Sequence, residues 1–287
     1  MSTDLNFKIA LNEQKLKELS QKVLKAMEQG IPFRILGLDI DNTLINDNPI
    51  RTRMLKEILK EEYDVTMQRA NDLFLTGKPD DIALSSILIG NMLDKVYEEG
   101  EPKFVGKMDY KQIYRIENVF PGAIDFVRYL IQTKGEYDFV VLVSHKNVIR
   151  ESHDKIDLMY DTFPEIDGIY LPNYHDDPYG IPGRQAVSKI EFMNQTIIFY
   201  FNLPSIKNIK INIKNNIFLS DDSSTVLLDT LSRGGNIVPF LPSRIPVFNP
   251  NRNYFNDFLA RAARSSDVEQ IIAEKSSLDT FNKTLIK

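Results

Sequence analysis

Residues 36–44 read LGLDIDNTL, and its two aspartates, one isoleucine apart and followed by a threonine, are the part of this chain best suited to chemistry. Side chains of an extended segment alternate between faces, so Asp39, Asp41 and Thr43 would project to one side wherever the extension continued. Two other segments end on comparable groups. Ser144 closes the apolar run DFVVLVS and is followed by His145, while Asp221 and Asp222 close NIFLSDD. Carboxylates brought together repel, so either some take up protons or a cation neutralises them. An all-oxygen site with room for water is what Mg²⁺ prefers, and Mg²⁺ commonly works beside a phosphate-bearing substrate. The chemistry expected is phosphoryl transfer.

For these groups to meet, the intervening elements must carry them to one place. FRILGLDI, residues 33–40, is almost continuously apolar and suits a strand covered on both faces, as in a parallel sheet. Before it, residues 11–29 set Leu16, Leu19, Val23 and Met27 along one helical face and stop at Gly30 and Pro32. After it, residues 48–118 read as helical: RTRMLKEILKEEY, MQRANDLFL and IALSSILIGNMLDKVYEEG, divided by GKPDD and GEPK, a block that interrupts the alternation of strand and helix. The alternation returns with a helix from Pro121 to Gly135, the strand DFVVLVS, a helix over VIRESHDKIDLMYDTF and a short strand GIYLP. NIFLSDD, a helix over SSTVLLDTLSRGG and the strand NIVPFLP complete it. NLPSIKNIKINIK fits either a sheet edge or a loop, and residues 243–287 carry helices around NYFNDFLARAARS and DVEQIIAEK. This order predicts an α/β fold with a doubly wound parallel sheet of Rossmann type, split into a core of 1–47 and 119–242, a helical insert of 48–118 and a C-terminal helical extension of 243–287. In such sheets ligands bind beyond the carboxyl ends of the strands. Four carboxylates and a hydroxyl would reach that rim.

Composition narrows the classes. At 287 residues and 43% hydrophobic the chain can bury a large core, and it contains no cysteine, which excludes disulfides, thiolate metal sites and a cysteine nucleophile. The balance of 35 Lys and Arg against 40 Asp and Glu, −5 overall, is too mild to steer a nucleic acid by itself, although a local basic patch could serve. The N-terminus lacks the basic start and apolar core of a secretory signal, and no stretch offers the roughly eighteen uninterrupted apolar residues of a membrane span. The expectation is a cytoplasmic protein with no membrane partner.

DIDNT matches the DxDxT signature of the haloacid dehalogenase-like (HAD) superfamily, and SHKN, a downstream lysine and SDD are similar to its second, third and fourth motifs, in order, over residues 33–242. The resemblance implies a HAD-type Mg²⁺-dependent phosphatase. Asp39 would be the nucleophile and form an aspartyl-phosphate, and Asp41 would protonate the leaving oxygen and then activate water, with Thr43 orienting Asp41. An acid at the second position favours a phosphatase over a dehalogenase or a transporting ATPase. Ser144 would hydrogen-bond a phosphoryl oxygen, helped by backbone amides around His145. Asp221 and Asp222, with the Asp39 carboxylate and the Asp41 carbonyl, would hold Mg²⁺. For the third motif Lys189 is preferred, with Lys155 and Lys207 as alternatives. The family's usual glycine is Asn42 here, the non-glycine residue that best tolerates a left-handed turn.

Plainer roles compete for these residues. Asp221 and Asp222 could merely cap the following helix, and Ser144 could be a turn residue. His153 and His175 sit at no ligand spacing and read as structural, whereas His145 borders the phosphate pocket. RTR and KEILKEE read as a solvated helical face. In HAD relatives an insert between the first and second motifs is a helical cap that closes over a small substrate. The expected substrate is therefore a small phosphorylated metabolite, with a nucleotide (a 5′-nucleotidase-like activity) leading. The alternatives are a nucleic-acid end phosphatase, with Arg51, Arg53 and SIKNIKINIKNN on the backbone, and a non-catalytic binding protein of the same fold. Oligomeric state is not legible in the sequence.

Overall fold

A computed structural model describes residues 3–96, 107–120, 122–146, 149–172, 187–201, 211–238 and 254–259. Its centre is a five-stranded parallel sheet: β1 (Arg34–Leu38), β2 (Asp138–Val143), β3 (Ile169–Tyr170), β4 (Ile217–Ser220) and β5 (Asn236–Ile237), in the order β3-β2-β1-β4-β5. The order runs outward in both directions from β1, which is what a doubly wound sheet requires, and it sets β1 between the two strands whose ends carry Ser144 and Asp221. β1 is registered with Leu38 opposite Leu142 on one side and opposite Ser220 on the other. The Asp39 amide extends the ladder one step further by donating to the Ser220 carbonyl at 2.9 Å.

The alternation of a strand sorts the core into two layers. Ile35, Phe139, Val141, Val143, Ile217 and Leu219 face α1 (Thr3–Gln29) and α8 (Lys189–Phe199), while Leu36, Leu38, Val140 and Leu142 face α6 (Ala123–Thr133) and α7 (Ile149–Thr162). Apolar residues on both faces explain why β1 and β2 read as unbroken hydrophobic runs. Gly37 is needed for close packing at the centre, because a Cβ there would lie 3.1 Å from Leu219 Cδ1 and 3.2 Å from Val143 Cγ1. The edge strand β3 is closed by α1: the Asn12 side chain donates to the Ile169 carbonyl at 3.1 Å and accepts from its amide at 2.8 Å.

Between β1 and β2 lie α2 (Asn48–Leu59), α3 (Glu61–Leu75), α4 (Pro79–Asp94) and the single turn α5 (Tyr110–Ile113). The insert leaves and re-enters the core side by side, for Asn46 N donates to Asn118 O and Phe120 N to Leu44 O, both at 2.8 Å. Its first helix boundary falls at Lys60, whose φ of +53° breaks the path, so RTRMLKEILKEEY is divided between α2, ending at Leu59, and α3, beginning at Glu61, and MQRANDLFL continues α3. This differs from the sequence expectation, because the charged run gives no visible stop signal. Following β4, α9 (Ser224–Ser232) leads to β5. α10 (Tyr254–Leu259) lies against α6, with Phe255 fully buried, the Arg34 guanidinium 5.1 Å from its ring centroid and the Phe255 amide donating to Thr133 Oγ1 at 3.0 Å. Residues 254–259 of the C-terminal extension therefore cover the core; the rest of the extension, together with Lys207, His175 and residues 239–242, lies outside the described residues. Residues 214–216 form a 3₁₀ turn, so the end of the NLPSIKNIKINIK stretch adds no strand there. No helix of the described residues is long and apolar enough to cross a membrane.

Candidate active site

β1 ends at Leu38, and the chain turns through Asn42, whose φ of +55° is the left-handed conformation that asparagine accommodates. The turn splits the two aspartates into different surroundings. Asp39, 3% exposed, accepts a short hydrogen bond from Lys189 Nζ on Oδ1 and one from Thr43 Oγ1 at 3.3 Å on Oδ2. Thr43 thus orients Asp39 and not Asp41, a correction to the sequence reading: the extension that would have aligned all three side chains stops before them. Lys189 is the first residue of α8, which is capped by the Ser188 hydroxyl accepting from Glu191 N at 3.4 Å. Its ammonium also donates to Asp221 Oδ2 at 2.7 Å. Lys189, the lysine the sequence reading prefers, is thus the one that joins Asp39 to Asp221.

Asp221 does two things at once. Its Oδ1 accepts from Ser223 N at 2.9 Å in a tight turn just before the helix that begins at Ser224, without capping that helix, while Oδ2 faces the site. Carboxylate oxygens of Asp39, Asp221 and Asp222 all lie within 4.8 Å of one another, Asp39 and Asp221 buried and Asp222 exposed at the rim. Crowding of this kind disfavours ionisation. Burial, then the neighbouring carboxylates against the opposing pull of Lys189, drives Asp39 well above the ordinary aspartate range, and partial burial with the Asp221 charge pushes Asp222 up to about 7. Three acidic oxygens that repel at this separation fit a hard divalent cation, which would relieve them.

Asp41 sits in a different field. Its Oδ2 accepts from Lys155 Nζ at 2.6 Å and from Ser144 Oγ at 2.9 Å, and its Oδ1 from the Tyr114 hydroxyl at 2.9 Å, with Arg51 at 3.7 Å. Although burial opposes it, Lys155 and Arg51 together hold the Asp41 carboxyl below its usual range, so in this state it is a carboxylate. Ser144, expected to face a phosphoryl oxygen, spends its hydroxyl on Asp41 here and accepts from Lys155 at 3.0 Å. The amides of Ser144 and Lys146 donate to Tyr170 O and Pro172 O, both at 3.0 Å, so the amides flanking His145 serve the sheet edge. His145 is neutral, its pKa lowered to about 4 by burial and by Lys189, with Nε2 donating to Val187 O at 2.8 Å.

Four residues around Asp41 were not legible in their actual roles. Arg51, read as part of a solvated face, is held by Asp47 through a short contact, by Glu151 at 2.8 Å and by the Tyr114 oxygen at 2.6 Å. Arg53, which reaches Gln112 at 3.5 Å, and the exposed Lys56, Glu57, Lys60 and Glu61 match that reading. Glu151 and Lys155, both 0% exposed, are one turn apart on α7. Their signal was present: they share the helical face of Met159 and Thr162, a buried face on which charges need partners. Lys155, an alternative for the third motif, stands instead at Asp41. Tyr114 had no signal, since nothing in its spacing ties it to the second aspartate.

The core is thus a doubly wound parallel sheet, with Asp39, Ser144 and Asp221 just beyond the carboxyl ends of β1, β2 and β4 and Lys189 at the start of α8. No protein-family model matches the chain, and no curated protein does. Among solved structures it is similar to one described as a haloacid dehalogenase-like hydrolase from Burkholderia xenovorans, at 16% identity and a TM-score of 0.37 over 70% of this chain and 78% of that one. It is also similar to the HAD-hydrolase YfnB from Bacillus subtilis bound to magnesium, at 14% and 0.41 over 75% and 92%. A haloacid dehalogenase-like family hydrolase from Xanthomonas campestris gives 16% and 0.38 over 79% and 91%. Scores at this level carry no functional argument.

Proposed function

We propose that this protein is a Mg²⁺-dependent phosphomonoesterase of HAD type that works through an aspartyl-phosphate on Asp39. The observation that carries the reading is the convergence on one buried carboxylate, at the end of the central strand, of Lys189, Thr43 and the acidic pair from β4. Asp39, Asp221 and Asp222, with the Asp41 carbonyl, would hold the metal; when bound, it would keep Asp39 ionised and offset the charge of an incoming phosphate. An Asp39 carboxylate oxygen attacks phosphorus and the ester P–O bond breaks, with Asp41 delivering a proton to the departing oxygen. Water then attacks the phosphorus of the acyl phosphate, Asp41 takes its proton, and inorganic phosphate leaves with Asp39 restored as a carboxylate. A dianionic phosphate facing Asp41 raises its proton affinity against the pull of Lys155, which is how a carboxylate held in its base form can enter the cycle as an acid.

The insert beside the site supports a small phosphorylated metabolite, with a nucleotide leading, because a helical segment anchored at both ends next to the nucleophile can shut water out and touch the rest of the ligand. Removal of terminal phosphate from nucleic acid loses one of its supports, since the Arg51 guanidinium is already committed to Asp47, Glu151 and Tyr114. Purified protein should release phosphate from some member of a panel of nucleotides and sugar phosphates when Mg²⁺ is supplied, and stop when EDTA is added. Silence across the panel, together with no binding of fluoroberyllate, would instead favour a binding protein that retains the fold.

Metal binding should depend on pH through the acidic cluster. With Asp222 raised to about 7, protons compete with the metal below that value, and the competition ends as pH rises through it. Isothermal titration with Mg²⁺ should show tighter binding at pH 8 than at pH 6, with proton release at pH 6 revealed by two buffers of different ionisation enthalpy. Affinity that does not change between the two pH values would place the metal elsewhere.

A further inference from the structure

The network behind Asp41 joins two parts of the chain that the strand-end motifs do not connect. Tyr114 and Arg51 belong to the insert, on or next to α5 and on α2, whereas Glu151 and Lys155 belong to α7 of the core. The Glu151 carboxylate is their common anchor: its Oε1 lies 2.8 Å from Arg51, 2.9 Å from the Tyr114 oxygen and 3.4 Å from Lys155. An ammonium has three hydrogens, and Lys155 directs its bonds to Asp41, Ser144 and the His145 carbonyl. Tyr114 has one, with Asp41 and Glu151 both 2.9 Å away, and Arg51 supports the phenol from its other side at 2.6 Å. Burial holds that phenol well above its ordinary pKa, so it remains a donor.

We propose that Tyr114 and Lys155, anchored on Glu151 and Arg51, are positioning residues that fix both oxygens of the Asp41 carboxylate for proton transfer, so that the insert helps to assemble the acid as well as cover the site. The proposal rests on the reading of Asp41 as the acid and base. Proton transfer is sensitive to placement, because the carboxyl must lie within hydrogen-bond reach of the departing oxygen as the bond breaks. Among the described residues the phenol supplies the hydrogen bond to Oδ1, with the Arg51 guanidinium farther off at 3.7 Å, so loss of the phenol hydroxyl leaves that oxygen held by charge alone.

The test uses substituted phenyl phosphates, whose shape varies little while leaving-group acidity varies widely. A good leaving group such as p-nitrophenolate departs without a proton and a poor one does not. The ratio kcat/KM reports the first phosphoryl transfer, so its dependence on leaving-group pKa measures how well Asp41 donates. Tyr114→Phe and Lys155→Met should each steepen that dependence, losing about tenfold more activity on the poorest leaving group than on p-nitrophenyl phosphate, in the pattern of Asp41→Asn. A uniform loss across the series, with the wild-type slope, would reduce both residues to structural roles and overturn the proposal. Should Lys155→Met fail to fold, Tyr114→Phe, which removes a single oxygen, decides. Wild-type protein inactive on every member would overturn the phosphatase reading and this inference with it, whereas active wild type with an unchanged slope in the variants overturns the inference alone.

Discussion

Asp39→Asn should abolish phosphate release, lowering kcat by at least about 10³-fold on any substrate the wild type accepts, the scale on which loss of a covalent nucleophile acts. The substitution is nearly isosteric and sits at a position 3% exposed, with Lys189 still bonded to Asp221 at 2.7 Å, so the fold should hold while the attacking oxygen is lost. Asp41→Asn should also be slow, by about 10²–10⁴-fold, but in a different way: it removes a proton donor and base and leaves the nucleophile in place. The two variants separate in rapid-quench experiments on a substrate with a good leaving group. Asp41→Asn should accumulate phosphorylated enzyme because water is no longer activated, and Asp39→Asn should accumulate none. Equal phosphate release by wild type and Asp39→Asn would remove Asp39 from the reaction.

Glu151→Ala should cost about 3–5 kcal/mol of folding stability, the usual result of taking one partner from a buried ion network. Glu151 is 0% exposed, and its removal leaves Arg51 and Lys155 with Asp41 and Asp47 as neighbouring acids and a void on α7. Glu151→Gln keeps the shape and an acceptor for the phenol, so it should lose less than the alanine variant. Urea denaturation monitored by far-UV circular dichroism measures both, and a wild-type midpoint in Glu151→Ala at unchanged slope would show that the network adds nothing to stability. The loss should appear with or without Mg²⁺, since Glu151 lies outside the Asp39–Asp221–Asp222 cluster.

Much of the core could be read from residue order. The apolar runs of β1, β2 and β4, their polar terminators and the helices between them are local features: a strand buried on both faces must be apolar throughout and must end where polar groups are wanted. Asn42 in a left-handed turn and Lys189 at the start of α8 are local in the same sense. The direction of Thr43 was misjudged because alternation holds only while a strand lasts, and β1 stops one residue before Asp39.

What the sequence determined by itself is which groups stand at the strand ends, because adjacent residues share a strand and strands of one parallel sheet end on one side. Which partner each group would choose was decided by the tertiary structure. Lys155 and Lys189 are the same residue type, yet one meets Asp41 and the other Asp39 and Asp221, and Arg51, Tyr114 and Glu151 come together from three helical segments across as many as 100 positions of chain. A buried charge is compatible with the fold only when packing delivers its counter-charge, and that pairing is a property of distance in space, which no spacing along the chain records.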